Sequence, residues 1–179
     1  MRVIGGEFRS RVLKSVPGLD TRPTPDRLRE ALFNVLAPRI AGAVFADLYA
    51  GTGAVGIEAL SRGASRAIFV EYSRAAVNVI RENLRSLGLE ARAQVRQGRV
   101  LAMIEKIEAD ILFLDPPYAL EKEYAQALEL LGSRASGLVG ALVIAQHDRR
   151  SNLEKSYGAL HRTRELKHGD NVLSFYAPS

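Results

Sequence analysis

Cysteine is absent and histidine is scarce, with none of the first and three of the second in 179 residues. Without cysteine there is no disulfide, no thiolate metal site and no thiol nucleophile, and the three histidines lack the paired spacing of a zinc site. Chemistry without a metal is the expectation. No run approaches the roughly 20 apolar residues of a membrane-spanning helix, and the opening MRVIGGEFRSR lacks the apolar segment of a signal peptide. Internal repeats, low-complexity tracts and linkers are missing as well. The sequence therefore reads as a soluble cytoplasmic protein with no membrane partner.

What is present is enough for one core. The chain is 47% hydrophobic and of single-domain size. Its net charge of +5 is unevenly placed. Residues 1–39 carry eight Lys/Arg against four Asp/Glu, whereas the remainder carries seventeen against sixteen. Localised positive charge suits a polyanion, because neutralising phosphates releases condensed counterions; an ordinary solvated surface is the other reading.

Apolar runs and helical patterns alternate. Ala43–Leu48, Ala67–Val70, Ala93–Gln97, Asp110–Leu114 and Leu138–Ala145 read as buried parallel strands. Between them, Val55–Arg62, Ser73–Leu87 and Tyr124–Leu131 read as helices, the second capped by Ser73 and stopped at Gly88. Two further segments, Ala159–Leu166 and Val172–Tyr176, flank the turn signal His168-Gly169-Asp170-Asn171 and predict a closing hairpin. The expected fold is α/β: a doubly wound, mostly parallel, seven-stranded sheet of the class I methyltransferase (Rossmann-like) type ending in an antiparallel hairpin. Residues 1–40 read as a basic hairpin-plus-helix extension and 41–179 as the main domain. Thr24 is the expected N-cap of the extension's helix, with Pro25 in its first turn and Leu28, Leu32, Phe33 and Leu36 on its apolar face.

Three stretches carry chemistry. In Asp47-Leu48-Tyr49-Ala50-Gly51-Thr52-Gly53, Gly51 and Gly53 permit a tight strand-to-helix turn and close approach of a ligand to the backbone. A glycine pattern of this kind also serves dinucleotides. Asp47, placed to hold a cofactor ammonium, and the small or hydroxylated Ala50 and Thr52 favour S-adenosylmethionine. Glu71, 18 residues after Gly53 at a strand end, suits the two hydroxyls of an adenosine ribose, in either cofactor class. Asp115-Pro116-Pro117-Tyr118 follows the buried strand Ile111–Leu114. Its prolines remove two backbone donors and stiffen a turn that presents acceptors, which an exocyclic base amine needs in order to become a nucleophile. Tyr118 then stacks on the base.

The pairing of DLYAGTGAVGIEALSRGA (Asp47–Ala64) with DPPY resembles the nucleobase amino-methyltransferases. With RVIGGEFRSRVLKS, TRPTPDRLREALFNVL and GDNVLSFY, the chain closely resembles the bacterial small-subunit ribosomal RNA guanine-N2 methyltransferases over most of its length. That resemblance implies transfer from S-adenosylmethionine, leaving S-adenosylhomocysteine, to a guanine of 16S rRNA in the small subunit or its assembly intermediate, by a monomer. It implies cofactor binding by Asp47, Ala50, Gly51, Thr52, Gly53 and Glu71, and base presentation by Asp115, Pro116, Pro117 and Tyr118. Arg99 departs from the pattern: it stands where methyltransferases place an Asp or Asn on the adenine amine, and arginine cannot accept that bond. Arg2, Arg9, Arg11 and Lys14 are expected on the RNA backbone, and Arg22 and Arg27 on the RNA or the cofactor carboxylate. The rivals are an adenine-N6 or cytosine-N4 methyltransferase, for which little chain remains as a recognition segment, and a non-catalytic RNA-binding or assembly factor, which has no use for Asp115.

Overall fold

The structure, a computed structural model, describes residues 1–18 and 24–179. Helix α1 (Asp26–Ile40) is followed by β1 (Val44–Leu48), α2 (Ala54–Ser61), β2 (Arg66–Glu71), α3 (Arg74–Ser86), β3 (Ala93–Gln97), α4 (Val100–Met103), β4 (Ile111–Leu114) and α5 (Glu123–Ser133). Then come β5 (Leu142–Asp148), β6 (Ser156–Tyr157), β7 (Leu160–His168) and β8 (Asn171–Pro178). The sheet order is β3-β2-β1-β4-β5-β8-β7-β6, with β1 to β5 parallel and β8, β7 and β6 antiparallel.

Apolar residues stand on both faces of the central strands because both faces are covered. Phe45, Phe69, Phe113 and Phe175 pack with Leu32 and Phe33 of α1, Ile57 of α2 and Ile80 and Leu84 of α3. Leu48, Val70, Leu114 and Val143 pack with Val100 of α4 and Leu128 and Leu131 of α5. Alternation along each strand then fixes where the acids go. Asp47, Glu71 and Asp115 each lie two residues beyond a phenylalanine of the first cluster, on the neighbouring strands β1, β2 and β4. Pattern and pairing together bring three carboxylates to one face at the carboxyl ends of adjacent strands, where open α/β sheets bind their ligands.

The N-terminal loop is fastened to α2 and α3. The buried Glu58 carboxylate accepts the Ile4 and Gly5 N–H groups, both at 2.9 Å, and Asn83 Oδ1 accepts Lys14 N–H at 2.7 Å. A side chain at Gly6 would meet the Ser61 carbonyl at 2.0 Å, so the Gly5-Gly6 pair is what lets the loop lie this close.

Four details differ from the sequence reading. An eighth strand, β6, pairs with Leu160 and His161 around Gly158; two residues are too short for periodicity to reveal. The fifth strand begins at Leu142 instead of Leu138, because Ala135–Leu138 forms a 3₁₀ turn and Gly140 takes φ 77°. Thr24 does not cap α1: Pro25 holds that position, and the Thr24 hydroxyl donates to Gln146 Oε1 at 3.4 Å. The extension's hairpin is one bridge, Arg2 to Val12, within an irregular loop.

Candidate active site

Beyond the carboxyl ends of β1, β2, β4 and β5 opens a cleft of ≈ 970 Å³ whose walls include Asp47, Ala50, Gly51, Thr52, Glu71, Arg99 and Asp115 through Tyr118. Gly53, also assigned to cofactor binding from sequence, caps α2 in the left-handed conformation behind that wall. Among the described residues, then, the structure gathers the predicted cofactor and base elements into one hollow.

The glycine loop forms its floor. Tyr49, Gly51 and Gly53 have φ of 63°, 58° and 81°, a left-handed sequence that only the glycines adopt without strain. A side chain on Gly51 would meet no atom within 4 Å and would stand in the cleft, whereas one on Gly56 would meet the Phe69 ring at 2.3 Å. Gly51 thus leaves room for a ligand, and Gly56 lets α2 lie against β2. Asp47 Oδ2 accepts the Gly56 N–H at 2.9 Å, fastening the start of α2. At 2% exposure, Asp47 is pushed well above the usual carboxylate range by burial, aided by the neighbouring Asp115 and Glu71 charges and opposed by the Gly56 bond.

Glu71 bridges two elements. Its Oε2 accepts the Gly51 N–H at 2.7 Å and its Oε1 the Ser73 N–H at 3.0 Å, tying the glycine loop to the start of α3. Each oxygen keeps a lone pair for a further donor. Asp115 stands where β4 ends and is raised by burial to about 7. The turn behind it is stiff: Pro117 has φ −61° and ψ 155°, and its carbonyl accepts the Leu120 N–H at 2.8 Å. Tyr118 stands 64% exposed at the rim.

Several cleft residues escaped the sequence reading. The Tyr49 hydroxyl donates to Glu123 Oε2 at 2.5 Å, and Tyr124 donates to the Gln146 carbonyl. Burial first, then nearby carboxylates, raise both phenols, so they act as donors. His147 Nε2 meets Ser174 Oγ at 2.8 Å, and burial lowers its proton affinity, leaving it neutral at pH 7. Tyr72, 65% exposed, carries the Arg99 guanidinium 5.2 Å above its ring. Only the exposed aromatic beside a strand-end acid could have flagged Tyr72. The Arg99 side chain stacks at the cleft mouth, and the residue holds the N-cap position of α4, a short helix that the sequence reading did not include, without a capping bond from its side chain.

The expected RNA contacts lie elsewhere. Arg2, Arg9, Arg11 and Lys14 are exposed on the N-terminal loop, and Arg27 on the first turn of α1. Arg2 donates to the Ser10 carbonyl, Arg11 to the Ser86 carbonyl, and Lys14 pairs with Glu82 at 2.9 Å. None of these five lines the cleft, and Arg22 falls outside the described residues.

A family model described as Conserved hypothetical protein 95 matches residues 1–177. YlbH of Bacillus subtilis, provisionally named an rRNA methyltransferase, is 38% identical over 98% of both chains. Ribosomal RNA small subunit methyltransferase D of Escherichia coli is 40% identical over 66% of this chain and 60% of its own. The solved Escherichia coli protein yhhF, provisionally named a methyltransferase, superposes with a TM-score of 0.85 at 31% identity, covering 100% of this chain and 98% of its own.

Proposed function

The chain belongs to the Conserved hypothetical protein 95 family, and from that membership and the cleft we propose that it transfers a methyl group from S-adenosylmethionine to the exocyclic N2 amine of a guanine in small-subunit ribosomal RNA. The observation that carries the reading is Asp115, followed by two prolines and an exposed tyrosine, opening into the same cleft as the glycine loop and Glu71. The names of its relatives support an RNA of the small subunit as substrate; a monomer acting in the cytoplasm fits the same picture.

The cleft suits that cofactor on its own chemistry. Among the described residues no ion pair neutralises Asp47, Glu71 or Asp115, so the wall favours a cationic ligand. Asp47 would take the ammonium and Glu71 the ribose hydroxyls, while Gly51 admits the chain between them. When bound, the cofactor supplies a methyl group activated on a positive sulfur.

The protein's work is at the amine. A guanine N2 lone pair is delocalised into the ring; donating its N–H bonds to the Asp115 carboxylate and the Pro116 carbonyl draws it toward the pyramidal, attacking geometry. Tyr118 holds the base plane by stacking. With a methyl group supplied by the bound cofactor, which would leave as a neutral thioether, Asp115 would stabilise the positive charge on the methylated nitrogen and accept the proton that the amine then releases. The guanine must be unpaired or turned out of its stack to reach this turn. The N-terminal cations Arg2, Arg9, Arg11, Lys14 and Arg27, which do not line the cleft, would approach flanking RNA more remotely.

The test is transfer of labelled methyl to small subunits lacking the modification, alongside free 16S rRNA, DNA and Asp115→Ala protein. Label in N2-methylguanosine, lost with Asp115→Ala, establishes the reading. Label in adenine or cytosine transfers it to an N6 or N4 enzyme, and binding of cofactor and RNA with no transfer leaves an assembly factor.

A further inference from the structure

An extruded nucleotide leaves its phosphates outside the pocket that takes its base, so something at the cleft mouth must hold them. A second hollow of ≈ 490 Å³ opens beside the cleft, lined by Arg149, Arg150, Arg162 and Lys167 with Asn152 and Glu165 among them. His147, Arg150 and Ser151 line both hollows, so the two adjoin. The connecting loop, residues 149–153, is tied to the base-presenting turn: Ser151 Oγ donates to Glu121 Oε1 at 2.8 Å, three residues beyond Tyr118.

Resting on the RNA reading above, we infer that this groove is a phosphate site for the strand carrying the target nucleotide, with Arg150 gripping its backbone at the junction with the cleft. Among the described residues, the Arg150 guanidinium is hydrogen-bonded by Asp148 alone. Its Nε and Nη2 donate to the two Asp148 oxygens at 2.9 and 3.3 Å, and its backbone N–H bonds Oδ1 at 2.8 Å. Among the described residues, three of its five N–H donors have no partner and remain for a ligand. The Asp148 side chain is 9% exposed and the Arg150 side chain 86%, so a rooted carboxylate aims an exposed fork. Such a fork loses little freedom on binding phosphate.

The other cations differ in how they are held. Arg149 meets Asp170 at a loose 3.6 Å with both side chains exposed, a pair worth little to the fold and easily exchanged for phosphate. Arg162 is engaged by Glu165 at 3.0 Å, and Lys167 has no ion pair among the described residues. By contrast, Arg2, Arg11 and Lys14 are bonded back to their own chain, away from the cleft.

The experiment compares the full-length protein with Arg149→Ala/Arg150→Ala. It reads KM and kcat on the methyl-accepting RNA, the S-adenosylmethionine Kd, and the salt dependence of binding to a single-stranded RNA oligonucleotide. Expected are a KM for RNA about tenfold higher, kcat at saturating RNA within about twofold, an unchanged cofactor Kd, and a salt slope shallower by roughly 1–2. Arg150→Lys should recover part of the affinity but not the fork's share. An unchanged KM and slope, or a loss confined to kcat, overturns the proposal. Should the double variant not fold, Lys167→Gln and Arg150→Lys carry the same comparison. If the wild type methylates no ribosomal RNA, the oligonucleotide slope still tests the groove apart from the guanine reading.

Discussion

The two ends of the cleft are built by different means. The end formed by β1, β2 and the glycine loop is made of backbone: left-handed glycines, N–H groups and a carboxylate, Glu71, that pins Gly51 and Ser73 while facing the ligand. The end formed by β4 and β5 is made of side chains on a stiff proline turn, with Asp115 half-buried and Tyr118 outside. The first can bind an adenosine with almost no side chain beyond Glu71. The second needs its side chains in place, because stacking on the base and a charged acceptor for its amine have no backbone substitute here. Substitutions should therefore separate affinity for cofactor from rate of transfer.

The largest effect belongs to Asp115. Asp115→Asn should lower kcat by roughly 10²–10³-fold while shifting cofactor Kd by less than about threefold. With the carboxyl raised to about 7 and the carboxylate required, kcat/KM should climb as pH rises through about 7, a limb absent from the residual activity of Asp115→Asn. Stability runs the other way. The folded state holds the Asp115 proton more tightly than the unfolded chain, so the free energy of unfolding declines as pH rises from the ordinary carboxylate range through about 7. Asp115→Asn should accordingly melt higher at pH 8, by on the order of 2–6 °C, in the absence of ligand. A variant that is both slower and less stable would break the assignment.

Glu71→Gln tests the opposite end. It should raise cofactor Kd by roughly tenfold or more, since a neutral amide accepts less strongly from ribose and from Gly51 and Ser73, with kcat at saturation largely retained. Isothermal titration against single-turnover rates separates the two, and a loss of kcat with unchanged Kd would reverse the division of labour.

How much of this was legible in the sequence follows from the same division. The strand-end acids and the two motifs could be read because buried parallel strands give unbroken apolar runs, and each run ends on its acid: Phe45-Ala46-Asp47, Phe69-Val70-Glu71 and Phe113-Leu114-Asp115. Contacts set by tertiary placement could not. Thr24 has every local mark of an N-cap, yet Gln146, 122 residues away, takes its hydroxyl. Tyr49 has a left-handed φ that no residue pattern announces, and the Arg99–Tyr72 stack joins a strand end to a helix cap 27 residues on. The basic bias of the first 39 residues pointed to the N-terminus, whereas among the described residues the arginines that line the cleft are Arg99, at the start of α4, and Arg150, in the loop after β5.

Gly56 of α2 and Gly51 of the glycine loop sharpen the contrast with smaller effects. Gly56→Ala drives a methyl into Phe69 and should destabilise the fold by about 1–3 kcal/mol, read from denaturant midpoints, with cofactor affinity of the surviving folded protein little altered. Gly51→Ala meets no atom but must adopt φ 58°, costing about 1 kcal/mol, and its methyl stands in the cofactor's path. It should weaken cofactor binding more than it weakens the fold.

The smallest predicted effect lies where the two roles meet. Ser73 caps α3, its hydroxyl accepting the Ala76 N–H at 3.3 Å, while its own N–H donates to Glu71. Ser73→Ala removes the cap and keeps the N–H, so stability should fall by about 1 kcal/mol with cofactor Kd nearly unchanged. Because the bond to Glu71 runs from the backbone, only a shift of the α3 start can disturb it. A rise in Kd comparable to that of Glu71→Gln would mean that α3 frays without its cap and that the backbone end of the cleft is less rigid than its hydrogen bonds imply.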